Sequence, residues 1–406
     1  MPGRADHPLD PGSVTMTRTA IVVGAGIAGL SSAISLARTG WGVTVVERSP
    51  ALGEVGAGFA MSRNAVAALR GLGFDDDAVA RLGYATWAGG TWDLHGDPIL
   101  TLPDTPEVRA SVGLIGVHRR RLHETLHRRA VDLGVEVVTG TSVTTLDPGD
   151  PDGAPAVVAG READLVVGAD GMRSAVRATL FPANVPVYSG YSSWRAITPG
   201  AWGAEALTQY WGAHAEFGLL RTAADETYWY GYVAMPERTR LDDELGAARE
   251  RFAGWAPPVQ EVLAATAPDA VLRHDVHHLP GGLPHYATGR VVMVGDAAHG
   301  TLPTMGQGAA TALEDGLCVG LLVGSPVAAG GRLAPALAGY DAARRPRCRA
   351  LARASVASGR FGSHLGGGWR QTVRNRIMRL TPASAIARGS QAAMGWTPPE
   401  PAAPVR

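Results

Sequence analysis

The residues with the clearest chemistry are glycines and acids set at the ends of apolar runs. Gly24-Ala-Gly26-Ile-Ala28-Gly29 follows the β-branched run Ala20–Val23. Asp164-Leu-Val-Val-Gly-Ala-Asp170-Gly171 and Gly289-Arg-Val-Val-Met-Val-Gly295-Asp296-Ala-Ala-His299 repeat the arrangement further on. In the first turn, Gly24 allows a tight bend and Gly26 lets the backbone approach a pyrophosphate. Gly29 lets the following helix pack closely on the strand. That helix aims its free N–H groups and the positive end of its dipole at the phosphates. Glu47 closes a second run, Val43–Val46, 18 residues after Gly29, where a carboxylate accepts hydrogen bonds from an adenosine ribose. A glycine turn in an ordinary α/β core is the bland alternative. The strand before, the helix after and the acid at the next strand end favour a dinucleotide.

These turns need a sheet to hold them. In a parallel sheet, ligands gather at the carboxyl ends of the strands, so the three turns are expected to line one crevice along which one dinucleotide runs. Arg119 sits near the start of an arginine-rich helix, Val117–Leu133, and Gly306-Gln307-Gly308 opens another that reaches about Val323. From Val187 to Met235 the texture changes, and alternation such as Tyr228/Tyr230/Tyr232 suggests antiparallel strands. The expected architecture is α/β: a Rossmann-like domain (19–75, 108–180 and 280–330) interleaved with a smaller sheet-containing substrate domain (76–107 and 181–279). C-terminal helices (331–395) follow, and 1–18 is expected to be a disordered lead. Within 84–102, turns are expected at Gly89-Gly90 and Gly96-Asp97. Asp75-Asp76-Asp77 reads as a turn and helix cap, and His274/His278 as strand residues. Neither is taken as a metal site.

Composition narrows the chemistry. The 406-residue chain is 46% apolar and 18% charged, with 37 basic and 37 acidic residues. That balance gives no global case for nucleic acid or anionic membrane. No lysine is present, which excludes Schiff-base, pyridoxal-lysine and P-loop chemistry. Ala20–Ala37 has no charge over 18 residues, but serines and glycines interrupt it and its front is strand-like, so no membrane span is expected. Two cysteines, Cys318 and Cys348, fit a reducing cytoplasm. Residues 1–18 hold no apolar core, so export is not expected. The arginines of the tail, 333–388, read as a solvated face.

The order and spacing of these motifs, over roughly residues 19–350, resemble the class A flavin-dependent monooxygenases, the para-hydroxybenzoate hydroxylase-like aromatic hydroxylases. The resemblance implies FAD held by Gly24, Gly26, Ala28 and Gly29 at the pyrophosphate, by Glu47 at the ribose and by Arg48 near the adenine. It implies that Arg119 reaches the phosphate or ribityl region. Asp296 would bind the ribityl chain, and Gly306, Gln307 and Gly308 would turn N–H groups to the flavin pyrimidine edge. Pro303 matches a proline beside the reactive flavin carbon, and Asp170 with Arg173 a turn linked to FAD and the nicotinamide cofactor. Asn64 follows Arg63 where many relatives have proline, and Ala310 stands where many have asparagine. Asp170 and Asp296 also read as helix caps, and His299 as a structural residue or a proton carrier.

The implied reaction consumes NADH or NADPH and O2 and inserts one oxygen atom into an aromatic or polycyclic small molecule through a flavin C4a-hydroperoxide. A phenolic substrate reacts faster as phenolate, so a base or relay is wanted. Candidates are His214 and Tyr210, expected on one loop, and Tyr188, Tyr191, Tyr230 and Tyr232. Arg195 could hold a substrate carboxylate bidentately or pair within its sheet. An epoxidase or drug-inactivating oxygenase is the enzymatic alternative, and a non-catalytic flavin-binding regulator the alternative of another class. The expected protein is a cytoplasmic monomer or homodimer, with no nucleic acid, membrane or metal partner.

Overall fold

The computed structural model describes residues 18–53, 57–382, 389, 393–401 and 403–405. The expected lead lies outside them except for Arg18, as do part of the 331–395 tail and Gly56 in the loop after Glu47. The first sheet has six strands in the order 287–288, 291–293, 165–168, 19–23, 42–46, 136–138. All neighbours pair in parallel except the edge strand Ala287–Thr288. Register fixes the position of the turns. Val23 lies opposite both Val46 and Gly168, and Gly168 opposite Met293. The carboxyl ends are therefore level, and all three turns leave from the same edge. These strands are buried on both faces, which is why they read as unbroken apolar runs rather than alternating ones.

Two buried helices press on this edge. Ile27–Ala37 starts at Gly26, and its serines fold back, Ser31 Oγ donating to Ile27 O (2.6 Å) and Ser32 Oγ to Ala28 O (2.8 Å). Their polarity is satisfied inside the helix, so the helix can be buried all round. Gly308–Val319 crosses it closely: a Cβ on Gly316 would stand 2.3 Å from Ser31 Cβ. Its continuation to Ala328 makes a helical run of 21 residues, long and apolar enough by composition to span a bilayer despite Glu314 and Asp315, but 89% of its apolar window is buried in the protein.

The second sheet has nine strands, eight of them in the order 272–278, 187–199, 226–234, 215–223, 207–212, 83–93, 113–118, 58–61, with 98–101 beside 83–93. It includes Gly58–Met61 and Gly113–His118, which lie in segments expected in the dinucleotide domain. Gly89-Gly90 is not a turn but the middle of one strand, Gly83–Asp93. There the strand changes partner from Gly113–His118 to Leu207–Gly212. A Cβ on Gly89 would come within 2.7 Å of Ala206 Cβ, so close approach is what the glycine provides. One face of this sheet packs Trp194, Tyr210, Phe217 and Trp229 against the helices Glu244–Arg251 and Pro257–Ala265. The other face carries Tyr191, Tyr228 and Tyr232 toward Ala57 and Leu302. The long helix Leu333–Phe361 and the helix Trp369–Arg379 close the chain.

Candidate functional site

A crevice of about 450 Å³ runs along the carboxyl edge of the first sheet. Its walls include Gly24, Gly26, Ala28, Glu47, Arg48, Arg119, Asp170, Arg173, Asp296 and Gly308, so segments far apart in sequence converge. Gly24 adopts φ +102° and donates its N–H to Val46 O at 2.8 Å. A Cβ on Gly26 would meet no protein atom within 4 Å, because it would point into the crevice. Gly29 lies outside the lining. Its Cβ would stand 1.9 Å from Gly24 O, so it governs helix–strand packing. Glu47 is pinned at the strand end: Oε2 accepts from Ala25 N–H and Oε1 from Ser49 N–H, both at 2.9 Å. His123, buried on the helix Arg119–Asp132, contacts Ala25 O through Nε2 at 2.8 Å.

The acids of the other two turns divide their work. Asp170 Oδ2 accepts from Ala175 N–H (2.6 Å) and Val176 N–H (3.1 Å), the helix cap that its position suggested. Its Oδ1 is buried with no hydrogen-bond partner among the described residues. Such an atom costs free energy unless something outside the chain satisfies it. Asp296 is exposed between the buried Gly295 and Ala297 and faces the crevice. Arg177, which the sequence reading missed, ties the two turns together by donating to Ala297 O (3.1 Å) and Met172 O. Its only sequence signal was a charge inside the otherwise apolar Ala175–Leu180.

Behind the Gly306–Gly308 turn lies a buried charged network. Gln307 Oε1 accepts from Asn64 Nδ2 (3.0 Å), and the same amide donates to Glu314 Oε1 (2.6 Å). The Gln307 side chain thus turns inward, and only its backbone is left for the crevice side. With Arg63 in place of the proline, Ser62 at the N-terminus of the helix Arg63–Gly71 fixes the Asn64 side chain by donating its hydroxyl to Asn64 Oδ1 (2.6 Å). Ala310 is buried and not among the crevice lining. Arg344 joins Glu314 (2.8 Å) to Asp315 (2.7 Å), and Asp315 Oδ2 holds both Gly295 N–H (2.8 Å) and His299 Nε2 (2.5 Å). Burial opposes charge on His299, yet the neighbouring Cys348 and Asp315 groups hold its pKa well above the ordinary value. Burial likewise opposes charge on Asp315, but His299 and Arg344 keep it below the usual carboxylate range. These neighbours favour the charged form of His299, which is held against Asp315 behind the crevice. His299, Asp315 and Cys348 bring ligand atoms within 4.8 Å of one another, but Arg344 and the imidazolium supply the positive charge that a cation would bring.

The crevice-side face of the second sheet is richer than its sequence suggested. Tyr191 stacks on His364 (4.0 Å between ring centres) and on Tyr232 (4.9 Å), and Tyr232 Oη meets His364 Nε2 at 2.9 Å. Burial pushes His364 down to about 4. Leu302, next to the exposed Pro303, packs on the same two tyrosines. Arg195 shares this face, opposite Tyr230 in the register, and donates to Ser193 Oγ at 3.3 Å; it forms no ion pair within its sheet among the described residues. Glu216 is buried, and burial raises its pKa although Tyr230 Oη (2.5 Å) and Gln209 Nε2 (2.8 Å) donate to it. Glu216 and His364 escaped the sequence reading. Only an acid among the apolar residues of a strand, Ala215–Ala223, signalled the first.

Two expected bases are displaced. Tyr210 is not on a loop with His214. It lies in the strand Leu207–Gly212 on the helix-covered face, beside Trp92, because strand periodicity turns Gln209 and Trp211 to the other side. His214 is the exposed tip of the adjoining hairpin, at φ +51°, with Nδ1 3.2 Å from Tyr191 Oη. Tyr188 is a fixed edge residue whose hydroxyl donates to Met235 O at 2.6 Å.

Comparison with known proteins agrees with this geometry. The family described as FAD binding domain matches residues 17–355. The chain is 34% identical to the aurachin C monooxygenase/isomerase of Stigmatella aurantiaca over 94% of its own length and 98% of that protein. It is 30% identical to 6-hydroxynicotinate 3-monooxygenase of Pseudomonas fluorescens, over 82% of this chain and 89% of that one. Klebsiella pneumoniae HpxO, solved with FAD and uric acid, superposes with a TM-score of 0.80 at 26% identity, covering 93% of this chain and 96% of that one. Three level turns along one crevice, an orphaned carboxylate oxygen in its wall and likeness over nearly the whole length converge on one conclusion: the chain belongs to the FAD binding domain family, as an FAD-dependent, NAD(P)H-consuming aromatic monooxygenase.

Proposed function

We propose that the adenosine-diphosphate end of FAD lies over Gly24, Gly26 and Ala28, with Glu47 and Arg48 at the ribose and adenine side. Arg119 and Asp170 flank the phosphates, and Asp296 accepts from the ribityl hydroxyls. Gly306, Gln307 and Gly308 then offer backbone N–H groups and a helix N-terminus to the pyrimidine edge, where negative charge is stabilised. Bound FAD, once reduced by NADH or NADPH, supplies the oxygen chemistry.

The substrate lies between Pro303 and the tyrosine face of the second sheet. It is a planar ring bearing an acidic O–H or ring carbonyl, either a phenol or an oxygenated nitrogen heterocycle. The printed names of the relatives and solved neighbours, 6-hydroxynicotinate and uric acid among them, support that class. Arg195 holds an anionic substituent through its guanidinium. Tyr191, Tyr232 and His364, stacked on one another, wall the site and exclude water. The observation that carries the reading is Glu216: a buried carboxylate of raised pKa, joined to Tyr230 Oη on this face, can take the substrate proton through the phenol. That role replaces Tyr210 and moves His214 to a solvent-side link through Tyr191. Two buried free thiols fit a cytoplasmic enzyme.

The test is NAD(P)H and oxygen consumption across hydroxylated aromatics and heteroaromatics, with product mass. A substrate should accelerate reduction and give a product heavier by one oxygen; no such compound would remove the reading. Asp296→Ala should purify with little flavin absorbance and an unchanged fold, since its carboxylate touches no described partner. Wild-type flavin content would displace the ribityl assignment.

A further inference from the structure

The end of the chain has a charge pattern that the whole does not share. Between Asp341 and Glu400 the sequence contains eleven arginines and no acid, although the full chain balances 37 basic against 37 acidic residues. Arg344, Arg345 and Arg347 are neutralised by Glu314, Asp315 and Asp341, whereas Arg360, Arg370, Arg376 and Arg379 form no ion pair among the described residues. This segment carries the helix Trp369–Arg379. Its inner side is fixed: Arg374 is buried, donates to Phe361 O (3.1 Å) and Gly362 O (3.2 Å) and lies over the Trp211 ring (4.8 Å), and Met378 is buried too. Its outer side is apolar. Trp369 is 71% exposed, Val373 46%, Ile377 53% and Leu380 75%, with Phe361 at 47% beside them. At 100° per residue the first four fall within an arc of about 80°. These five are most of the large apolar side chains left exposed among the described residues, so the patch is concentrated rather than scattered. Arg360, Arg370 and Arg376 are exposed around it.

We infer that this face docks on an anionic lipid surface. A helix with tryptophan, isoleucine and leucine on one side and arginines at its margins buries the first group at the acyl boundary and sets the second among headgroups. A second copy of the chain fits less well. A twofold contact through this face would bring Arg360, Arg370 and Arg376 of two copies together with no acid of the face to offset them. Docking here also places the substrate side at the membrane. The loop leading into the helix carries His364, stacked on Tyr191, and Leu365 O accepts from His214 N–H at 3.1 Å. The sequence expectation of no membrane contact rested on overall charge, which averages this local excess away.

Vesicle co-sedimentation of the FAD-loaded enzyme tests the inference, using phosphatidylcholine alone and phosphatidylcholine mixed with phosphatidylglycerol. Binding is expected only with phosphatidylglycerol and should fall as salt rises. Arg360→Gln, Arg370→Gln and Arg376→Gln together should weaken it roughly a hundredfold, at about fivefold per arginine. Trp369→Ser with Ile377→Ser should abolish it while flavin content and basal NAD(P)H oxidation stay unchanged. Absence of binding to anionic vesicles, or equal binding by either variant, overturns the inference. So does light scattering that shows a dimer which the apolar variant dissociates, since the face would then join copies of the chain. Vesicle-free capture of nucleic acid that the arginine variant loses would assign the face to that partner instead.

Discussion

At the scale of single residues, the two glycines of the first turn separate folding from binding. Gly29 has no room for a methyl group, since its Cβ would meet Gly24 O at 1.9 Å. Gly29→Ala should therefore destabilise the protein by about 1–3 kcal/mol or more, read as an earlier urea midpoint. Gly26 has room, and its φ of −74° suits any residue. Gly26→Ala, at the helix N-cap where glycine is preferred to alanine, should cost only about 0.5–1 kcal/mol of stability, yet its methyl would occupy phosphate space and weaken FAD binding about tenfold or more. Equal loss of stability in both variants would contradict the placement of the crevice. Glu216 gives a second residue-level test. Burial raises its pKa from 4.5, and a base works only when deprotonated, so kcat should rise with pH through that raised value. Glu216→Gln should erase the acid limb and lower kcat by roughly a hundredfold, and Tyr230→Phe should share the defect. An unchanged pH profile would assign Glu216 a structural role only.

At the scale of elements, the buried network behind Gly306–Gly308 locks the third turn to the crevice helix and to Leu333–Phe361. Its charges are fully buried, so removing one leaves its partners uncompensated. Asp315→Asn should destabilise the protein by about 3–5 kcal/mol, measured by denaturant unfolding. The pH dependence follows from the two shifts. Asp315, held below its ordinary 3.8, contributes stability above that value and loses it as pH falls through the folded pKa. His299, held well above 6.5, contributes fully below 6.5 and loses that contribution as pH rises through its folded pKa. The gap between wild type and variant should thus be widest between about pH 4 and 6.5 and narrow on either side; a gap that widens in alkali would contradict the imidazolium. The sequence disclosed the turns that this network braces but not the network. Glycine and aspartate turns are local signals, written within a few residues of a strand end. Arg344, Asp315 and His299 meet only after the long helix folds back, and no spacing within 299–344 announces that meeting. The same reason explains Glu216 and Tyr210: which face of a strand looks inward depends on what covers it, and both faces of this sheet are covered.

At the scale of the whole molecule, the interleaving was legible because the aromatic texture of 187–235 differs from the glycine-rich runs around it. The recruitment of 58–61 and 113–118 into the large sheet was not, because short strands carry too little periodicity. That recruitment has a thermodynamic consequence. Chain segments near residues 24–28, 46–48, 119, 141–143, 169–175, 296 and 308–312 all face the same crevice, and the strand Gly113–His118 of the second sheet delivers Arg119 to it. FAD is thus expected to act as a shared core element that binds the native arrangement and not the unfolded chain. A ligand at a hundred times its dissociation constant stabilises by about 2.7 kcal/mol, which for a chain of this size corresponds to a shift of roughly 3 °C in Tm. Calorimetry of apoprotein titrated with FAD should show Tm climbing with the logarithm of FAD concentration, without a plateau. Gly26→Ala apoprotein should begin within about 1 °C of the wild-type Tm and climb only at higher FAD, because its fold is intact and its cradle is filled. A Tm indifferent to FAD in the wild type would mean that the crevice does not hold the flavin. A shift equal in wild type and variant would place the pyrophosphate away from Gly26.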